Sequence, residues 1–211
     1  MPLDPTPLVA QTPVIPVLTI ERAADAVPLA RALVAGKLHV IEVTLRTKAA
    51  IDAVKAIAME VPACVVGVGT VIKPADVAAA IEAGAKYLVS PGTPAPLAAE
   101  LADAPVPVLP GCATVSEAMT LIGRGFKVLK FFPAEASGGT AWLKSVAAPL
   151  PEAKFCPTGG IDAKNLATYL GCPNVLAVGG SWVAPKDAIA SGDWKRITSL
   201  AAAAAAARGR A

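Results

Sequence analysis

Short apolar segments alternate along the chain with longer segments in which apolar and small residues recur every three or four positions. The short segments resemble buried β-strands, and the longer, alanine-rich segments have the spacing of amphipathic helices. Eight strands are predicted, at 14–18, 39–45, 64–69, 87–90, 106–110, 127–132, 154–158 and 175–180. Seven helices are predicted between them, at about 23–35, 49–60, 74–83, 94–102, 115–122, 141–147 and 163–169, and an eighth at about 194–208.

Residues at the predicted helix starts support these boundaries. Thr114 and Glu117 have the spacing of a capping box, in which each side chain bonds a backbone N–H group of the first turn. Pro74 and Pro94 are expected in first helical turns, where the missing N–H group is harmless. Asp162 is expected to cap the helix that follows the TGG sequence.

The number of strand–helix units decides between two α/β architectures. Eight such units in 211 residues predict a (β/α)8 TIM barrel. A doubly wound open sheet is the alternative, but eight units are many for an open sheet in so short a chain. With no linker or composition break, we predict a single TIM-barrel domain over 1–211. It has a short N-terminal extension at 1–13 and an alanine-rich C-terminal helix at about 194–208.

Composition and charge exclude several classes of function. The net charge is +3 with no long basic run, which argues against nucleic-acid binding. The four cysteines form no CxxC pair, which is typical of reduced thiols in a cytosolic protein. The sequence shows neither a secretory signal nor an apolar segment of about 20 residues, so we predict a cytoplasmic protein without membrane contact. The single histidine, His39, is predicted at the amino end of a strand, and no metal site is expected.

A lysine stands in the middle of the apolar segment VLKFF, at Lys130. Side chains alternate between the two faces of a strand, and the set carrying polar groups should point into the barrel. By the same alternation, Glu42 and Arg46 lie on one face of their strand. Lys130, Glu42 and Arg46 are therefore all predicted to point inward. A buried lysine needs a carboxylate partner or must be neutral, and a neutral amine can be a nucleophile. A purely structural Glu–Lys or Glu–Arg bridge is the alternative.

Glycine-rich turns follow the last two predicted strands. TGGID at 158–162 opens a helix and VGGSW follows at 178–182. Backbone N–H groups at such turns bind anions, and phosphate sites in barrels often follow strands 7 and 8. Ordinary tight turns would explain the same glycines. A further turn, GVGT at 67–70, offers the Thr70 hydroxyl.

Seven motifs, in order between about Pro13 and Ile197, resemble the 2-dehydro-3-deoxy-6-phosphogluconate (KDPG) aldolase family. The resemblance implies a (β/α)8 barrel without metal or organic cofactor, usually assembled as a homotrimer. The motifs are EVTLRT (42–47), VGVGTV (66–71), SPG (90–92), LPG (109–111), KFFPAE (130–135), FCPTGGI (155–161) and GGSW (179–182).

The resemblance also implies roles for individual residues. Lys130 would form a Schiff base with the 2-keto carbon, and Glu42 would be the general acid and base. Substrate-binding roles fall on Arg46 and Thr70 at the pyruvyl carboxylate and on Pro91, Phe132 and Thr158 in the pocket. Gly159, Gly160, Gly180 and Ser181 would lie at the distal phosphate.

The implied activity is class I cleavage of KDPG to pyruvate and glyceraldehyde 3-phosphate in the Entner–Doudoroff pathway, with 4-hydroxy-2-oxoglutarate as a possible second substrate. A phosphosugar isomerase and a non-catalytic phosphometabolite-binding barrel are the alternatives. Small departures from the family occur at Val68, Thr93 and Leu129. Both C4 epimers, gluconate and galactonate, are candidate substrates.

Overall fold

The computed structural model describes residues 1–207. Strands and helices alternate through this part of the chain. The strands are β1 (Val14–Leu18), β2 (Val40–Thr44), β3 (Val65–Gly69), β4 (Leu88–Val89), β5 (Val108–Leu109), β6 (Gly111–Cys112), β7 (Val128–Phe131), β8 (Lys154–Pro157) and β9 (Val178–Gly180). The α-helices are α1 (Thr6–Val9), α2 (Ala26–Ala35), α3 (Ala50–Glu60), α4 (Pro74–Glu82), α5 (Ala95–Ala102), α6 (Val115–Gly123), α7 (Gly139–Ala147), α8 (Leu166–Leu170), α9 (Lys186–Ser191) and α10 (Trp194–Ala205).

All paired strands run parallel and form two sheets. The larger sheet has the order β5-β4-β3-β2-β1-β9, and the smaller has the order β6-β7-β8. Only Pro110 separates β5 from β6 along the chain. Isolated parallel bridges join Phe155 to Val175 and Thr158 to Gly179, between the β8 and β9 regions. The sheets therefore adjoin each other at both ends of the smaller one.

The predicted α/β class with parallel strands is confirmed, whereas the predicted continuous ring of eight strands is not. Within residues 1–207 the larger sheet ends at β5 and the smaller sheet begins at β6, so the pairing is interrupted there. Between β8 and β9 the pairing is reduced to isolated bridges. The first interruption has a local reason, because Pro110 has no N–H group to donate to a ladder. Within the strand predicted at 106–110, only Val108–Leu109 forms a strand, and the second short strand, β6, lies beyond Pro110 and outside the predicted bounds.

Most predicted helices are present, with differences at their ends. The Thr114–Glu117 capping box is formed, and Pro74 begins α4, but Pro94 precedes α5 as its cap residue. Asp162 accepts bonds from the backbone of a turn before α8, which delays the start of that helix to Leu166. The short helices α1 and α9 were not predicted. Helix α10 ends at Ala205, and position 208 of the predicted C-terminal helix lies outside the described residues.

Two separate apolar cores show which way the strand side chains point. The smaller core contains Val40 of β2 and Val128 of β7, together with other strand residues and Val9 of α1. The larger core contains Ile41 and Leu129 together with residues from the helices. Side chains with the parity of Val40 and Val128 therefore point to the inside of the curved sheets. No helix within residues 1–207 is long and apolar enough to cross a membrane.

Candidate active site

Lys130 and Glu42 form a buried ion pair between β7 and β2. The Lys130 Nζ atom lies 3.1 Å from Oε1 and 3.4 Å from Oε2 of Glu42, and donates to both. Each side chain is only 4% exposed. The sequence prediction that both point inward is thus confirmed, and the partner of the lysine is the glutamate rather than solvent.

Backbone register and the absence of a side chain at Gly69 make room for this pair. Glu42 lies beside Val17 of β1 on one side and Gly67 of β3 on the other, while Lys130 lies between Gly111 and Cys156. A Cβ atom built on Gly69 would lie 2.0 Å from Oε1 of Glu42. The carboxylate therefore occupies space that any residue other than glycine would fill.

The surroundings of the pair are aromatic and largely dry. The Phe132 ring centroid is 5.5 Å from the Lys130 Nζ atom. Tyr87 is fully buried, and its hydroxyl has no hydrogen-bond partner within residues 1–207. Burial raises the pKa of Tyr87 well above its ordinary value, and the Glu42 charge acts in the same direction.

A cavity of about 440 Å³ lies beside Phe132, and its described lining includes neither Lys130 nor Glu42. Phe132 is in its wall and also contacts the Lys130 ammonium group, so the pair adjoins the cavity. Seven of the predicted site residues line it: Arg46, Phe132, Thr158, Gly159, Gly160, Gly180 and Ser181.

Thr70 and Pro91, which were also predicted as substrate-binding, are absent from the described lining of this cavity. Thr70 directly follows β3 and has a positive φ of 63°, which a β-branched residue rarely adopts. Such strain tends to persist at functional positions, where the surrounding structure holds it. The roles of Thr70 and Pro91 remain predictions.

Thr93 belongs to a small hydrogen-bond network beside Pro91. Its hydroxyl donates to the carbonyl of Gly111 at 2.9 Å and lies 2.9 Å from the Ser90 hydroxyl. Ser90 in turn accepts from the N–H group of Gly111 at 3.1 Å. Thr93 therefore ties the β4 end to β6, next to the strand position of Lys130.

Arg46 lies two residues beyond the end of β2, exposed at the cavity wall. It makes no ion pair with Glu42 or with any other carboxylate among residues 1–207. Of the two bridges considered for Glu42, the Glu–Lys bridge is formed and the Glu–Arg bridge is not among the ion pairs of residues 1–207. The guanidinium group is instead available to an anion in the cavity.

The two glycine-rich turns supply backbone at the other part of the cavity wall. Gly159 and Gly160 have φ values of 102° and 78°, a region that favours glycine. The carbonyl of Gly159 accepts from Glu135 N at 3.1 Å, and the carbonyl of Gly160 accepts from Asn165 Nδ2 at 3.0 Å. Glu135 is itself held by a short hydrogen bond from the Tyr169 hydroxyl. These bonds fix the turn that a phosphate would meet.

Five lining residues were given no individual role from the sequence: Ile161 and Gly179, which lie within the predicted glycine turns, and Val17, Thr19 and Lys186, which were missed altogether. Lys186 begins α9, a helix of six residues whose short apolar pattern gave no helical signal. A lysine a few residues after the GGSW motif was the one available clue. Among residues 1–207, no group of three or more His, Cys, Asp or Glu side chains is placed to hold a metal ion.

Known proteins similar to this chain share its length and its fold. Residues 7–200 match the family described as KDPG and KHG aldolase. The KHG/KDPG aldolase of Escherichia coli strain K12 is 49% identical over 189 residues, which cover 90% of this chain and 89% of that protein.

Two solved structures are close to this one. KDPG aldolase from Legionella pneumophila, with pyruvate captured at low pH as a covalent carbinolamine intermediate, has a TM-score of 0.94 at 45% identity and covers 96% of this chain and 98% of that chain. The 2-keto-3-deoxy-6-phosphogluconate aldolase of Zymomonas mobilis ZM4 with 3-phosphoglycerate has a TM-score of 0.89 at 45% identity and 95% coverage of both chains.

Proposed function

The chain belongs to the KDPG and KHG aldolase family, and we propose that it is a class I aldolase cleaving KDPG to pyruvate and glyceraldehyde 3-phosphate. The observation that carries this function is the buried Lys130–Glu42 pair beside the cavity, with 3.1 Å between Nζ and Oε1. It supplies an amine and a proton acceptor that touch each other where water is scarce.

Lys130 must lose a proton before it can attack a ketone, and Glu42 is within hydrogen-bond distance to accept it. The neutral amine adds to the C2 carbonyl of KDPG and forms a carbinolamine. Glu42 returns the proton to the carbinolamine hydroxyl, which leaves as water. The product is a protonated Schiff base, whose positive charge next to C3 can accept electrons.

The same carboxylate can then serve the bond cleavage. Glu42 takes the proton of the C4 hydroxyl, the C3–C4 bond breaks, and its electrons move into the iminium to give an enamine. Glyceraldehyde 3-phosphate leaves as the C4 hydroxyl becomes an aldehyde. Protonation of the enamine at C3 and addition of water at C2 release pyruvate and restore the amine of Lys130.

We assign substrate-holding roles along the cavity on the basis of position and charge. Arg46 has no carboxylate partner among the described residues, and it can bind the pyruvyl carboxylate with two hydrogen bonds. Thr70 and Pro91 would complete the pocket on the β3 and β4 side. Phe132 and Thr158 would contact the carbon chain. The turns with Gly159, Gly160, Gly180 and Ser181 would receive the phosphate.

We also propose that the two sheets are parts of one closed (β/α)8 barrel. Hydrogen bonds support closure at both junctions: Lys130 N donates to Pro110 O at 2.9 Å, and Leu176 N donates to Phe155 O at 3.1 Å. Residues 1–211 would then be one domain. A homotrimer in the cytoplasm, acting in the Entner–Doudoroff pathway, is the corresponding proposal for assembly and cellular role.

Release of pyruvate from KDPG, followed with lactate dehydrogenase and NADH, tests the function. We expect turnover by the wild-type protein and none by Lys130→Met. The exposed Lys127, three residues earlier, gives a matched control, and Lys127→Met should retain activity. An isomerase or a binding protein would release no pyruvate, and either result would contradict the proposal. Parallel assays with the galactonate epimer and with 4-hydroxy-2-oxoglutarate define the substrate range.

A further inference from the structure

Lys186, the first residue of α9, brings a second cationic side chain to the wall of the cavity. Among the described lining residues, the other cation is Arg46. The cavity wall around them consists otherwise of glycines, apolar side chains and hydroxyl groups. Within residues 1–207, no carboxylate lines this cavity, so a ligand bound there faces net positive charge.

The ammonium group of Lys186 makes no ion pair within residues 1–207. The adjacent Asp187 is taken by Arg196, whose Nη1 lies 2.6 Å from Oδ2. Lys186 also borders a neighbouring cavity with Glu21 and Asp25 in its wall, and among the described residues it forms an ion pair with neither. The Asp25 carboxylate accepts two hydrogen bonds from Arg22, at 2.7 and 2.8 Å, so the guanidinium charge balances the charge of this carboxylate. The Lys186 charge therefore remains available to a ligand.

Resting on the proposed function, we infer that Lys186 binds the distal phosphate of the substrate and gives the enzyme its preference for phosphorylated 2-keto acids. A phosphate dianion at the glycine turns would accept hydrogen bonds from backbone N–H groups, but these groups carry no net charge to balance it. Arg46 is occupied by the carboxylate at the other end of the same substrate. Lys186 is the remaining cation in the wall, and lysine binds phosphate as a compact point charge.

Lys186→Met, assayed on KDPG and on unphosphorylated 2-keto-3-deoxygluconate, tests this role. A hydrogen bond to a charged group corresponds to roughly a tenfold change in binding. We expect the KM for KDPG to rise about tenfold with kcat nearly unchanged, and the kinetics on the unphosphorylated compound to stay within about twofold. Competitive inhibition by inorganic phosphate should weaken by a similar factor. Lys186→Arg should restore most of the preference.

Lys195→Met is the matched control, since Lys195 is also exposed and lies outside the cavity lining. Lys195→Met removes the same charge at a position outside the cavity. If the effect of Lys186 is local, Lys195→Met should leave the KM and kcat for both substrates unchanged. Equal loss on both substrates, or no change in the KM for KDPG, would overturn the role of Lys186 while leaving the aldolase function intact. Absence of pyruvate release by the wild type would overturn the function itself.

Discussion

The buried Lys130–Glu42 pair makes a quantitative prediction about stability. Two isosteric changes, Glu42→Gln and Lys130→Met, each leave one ionisable group in a site where the original side chains are 4% exposed. Such a group either stays charged without its partner or changes its protonation state. Neutralising an ordinary lysine at pH 7 costs about 4.6 kcal/mol, and protonating an ordinary glutamate costs about 3.7 kcal/mol. These figures are upper limits on the loss of stability caused by charge.

We expect each single variant to lose about 2–4 kcal/mol of unfolding free energy at pH 7. The double variant should lie within about 1 kcal/mol of wild type, because replacing a whole buried pair is often nearly neutral. For a chain of this size, each kcal/mol corresponds to about 2–4 °C in Tm. Urea unfolding followed by circular dichroism gives the free energies by linear extrapolation.

The idea of a buried, mutually dependent pair would be refuted if each single variant lost less than about 1 kcal/mol of unfolding free energy. It would also be refuted if the loss in the double variant equalled the sum of the two single losses.

Three further outcomes are expected. Gly69→Ala places a methyl group against the Glu42 carboxylate, and should lower the free energy of unfolding by about 1–3 kcal/mol and remove most of the activity. Gly123→Ala is the control, because Gly123 has open space around it, and it should change neither stability nor activity. Urea unfolding and pyruvate-release assays on both variants check this. Arg46→Lys should raise the KM for KDPG about tenfold, because lysine does not bind a carboxylate with two parallel hydrogen bonds; an unchanged KM would remove Arg46 from the carboxylate site. Burial raises the pKa of the Cys64 thiol to about 12. A disulfide reagent at pH 8 should therefore label Cys64 slowly in the native protein and rapidly in urea. Fast labelling of the native protein would contradict the burial of this thiol.

Much of the fold is readable from the sequence because burial has a simple period in strands and helices. Strand β1 was predicted with its observed bounds, and the alternation in β2 and β7 correctly placed Glu42 and Lys130 on the inside. The predicted continuous ring of strands is not seen within residues 1–207, where Pro110 stands between the short strands β5 and β6. Helix α9 was missed because six residues give too few turns for a periodic signal.

The candidate site was predictable where a motif fixes the backbone and less so elsewhere. The glycine turns at 158–162 and 178–182 line the cavity as expected, because glycine content marks close backbone approach. Thr70 and Pro91 depend on how loops after β3 and β4 arrange themselves, and the described lining does not include them. Lys186 reaches the cavity through the packing of an unpredicted helix, which no local pattern specifies.

Borohydride trapping tests the central claim, that the Lys130 amine forms a Schiff base. The wild-type protein is incubated with pyruvate and sodium borohydride, digested and analysed by mass spectrometry. We predict one stable adduct of reduced pyruvate on Lys130, its absence in Lys130→Met, and full labelling of Lys127→Met. A wild-type protein that releases pyruvate from KDPG but carries no adduct, or carries it on a different lysine, would contradict the account.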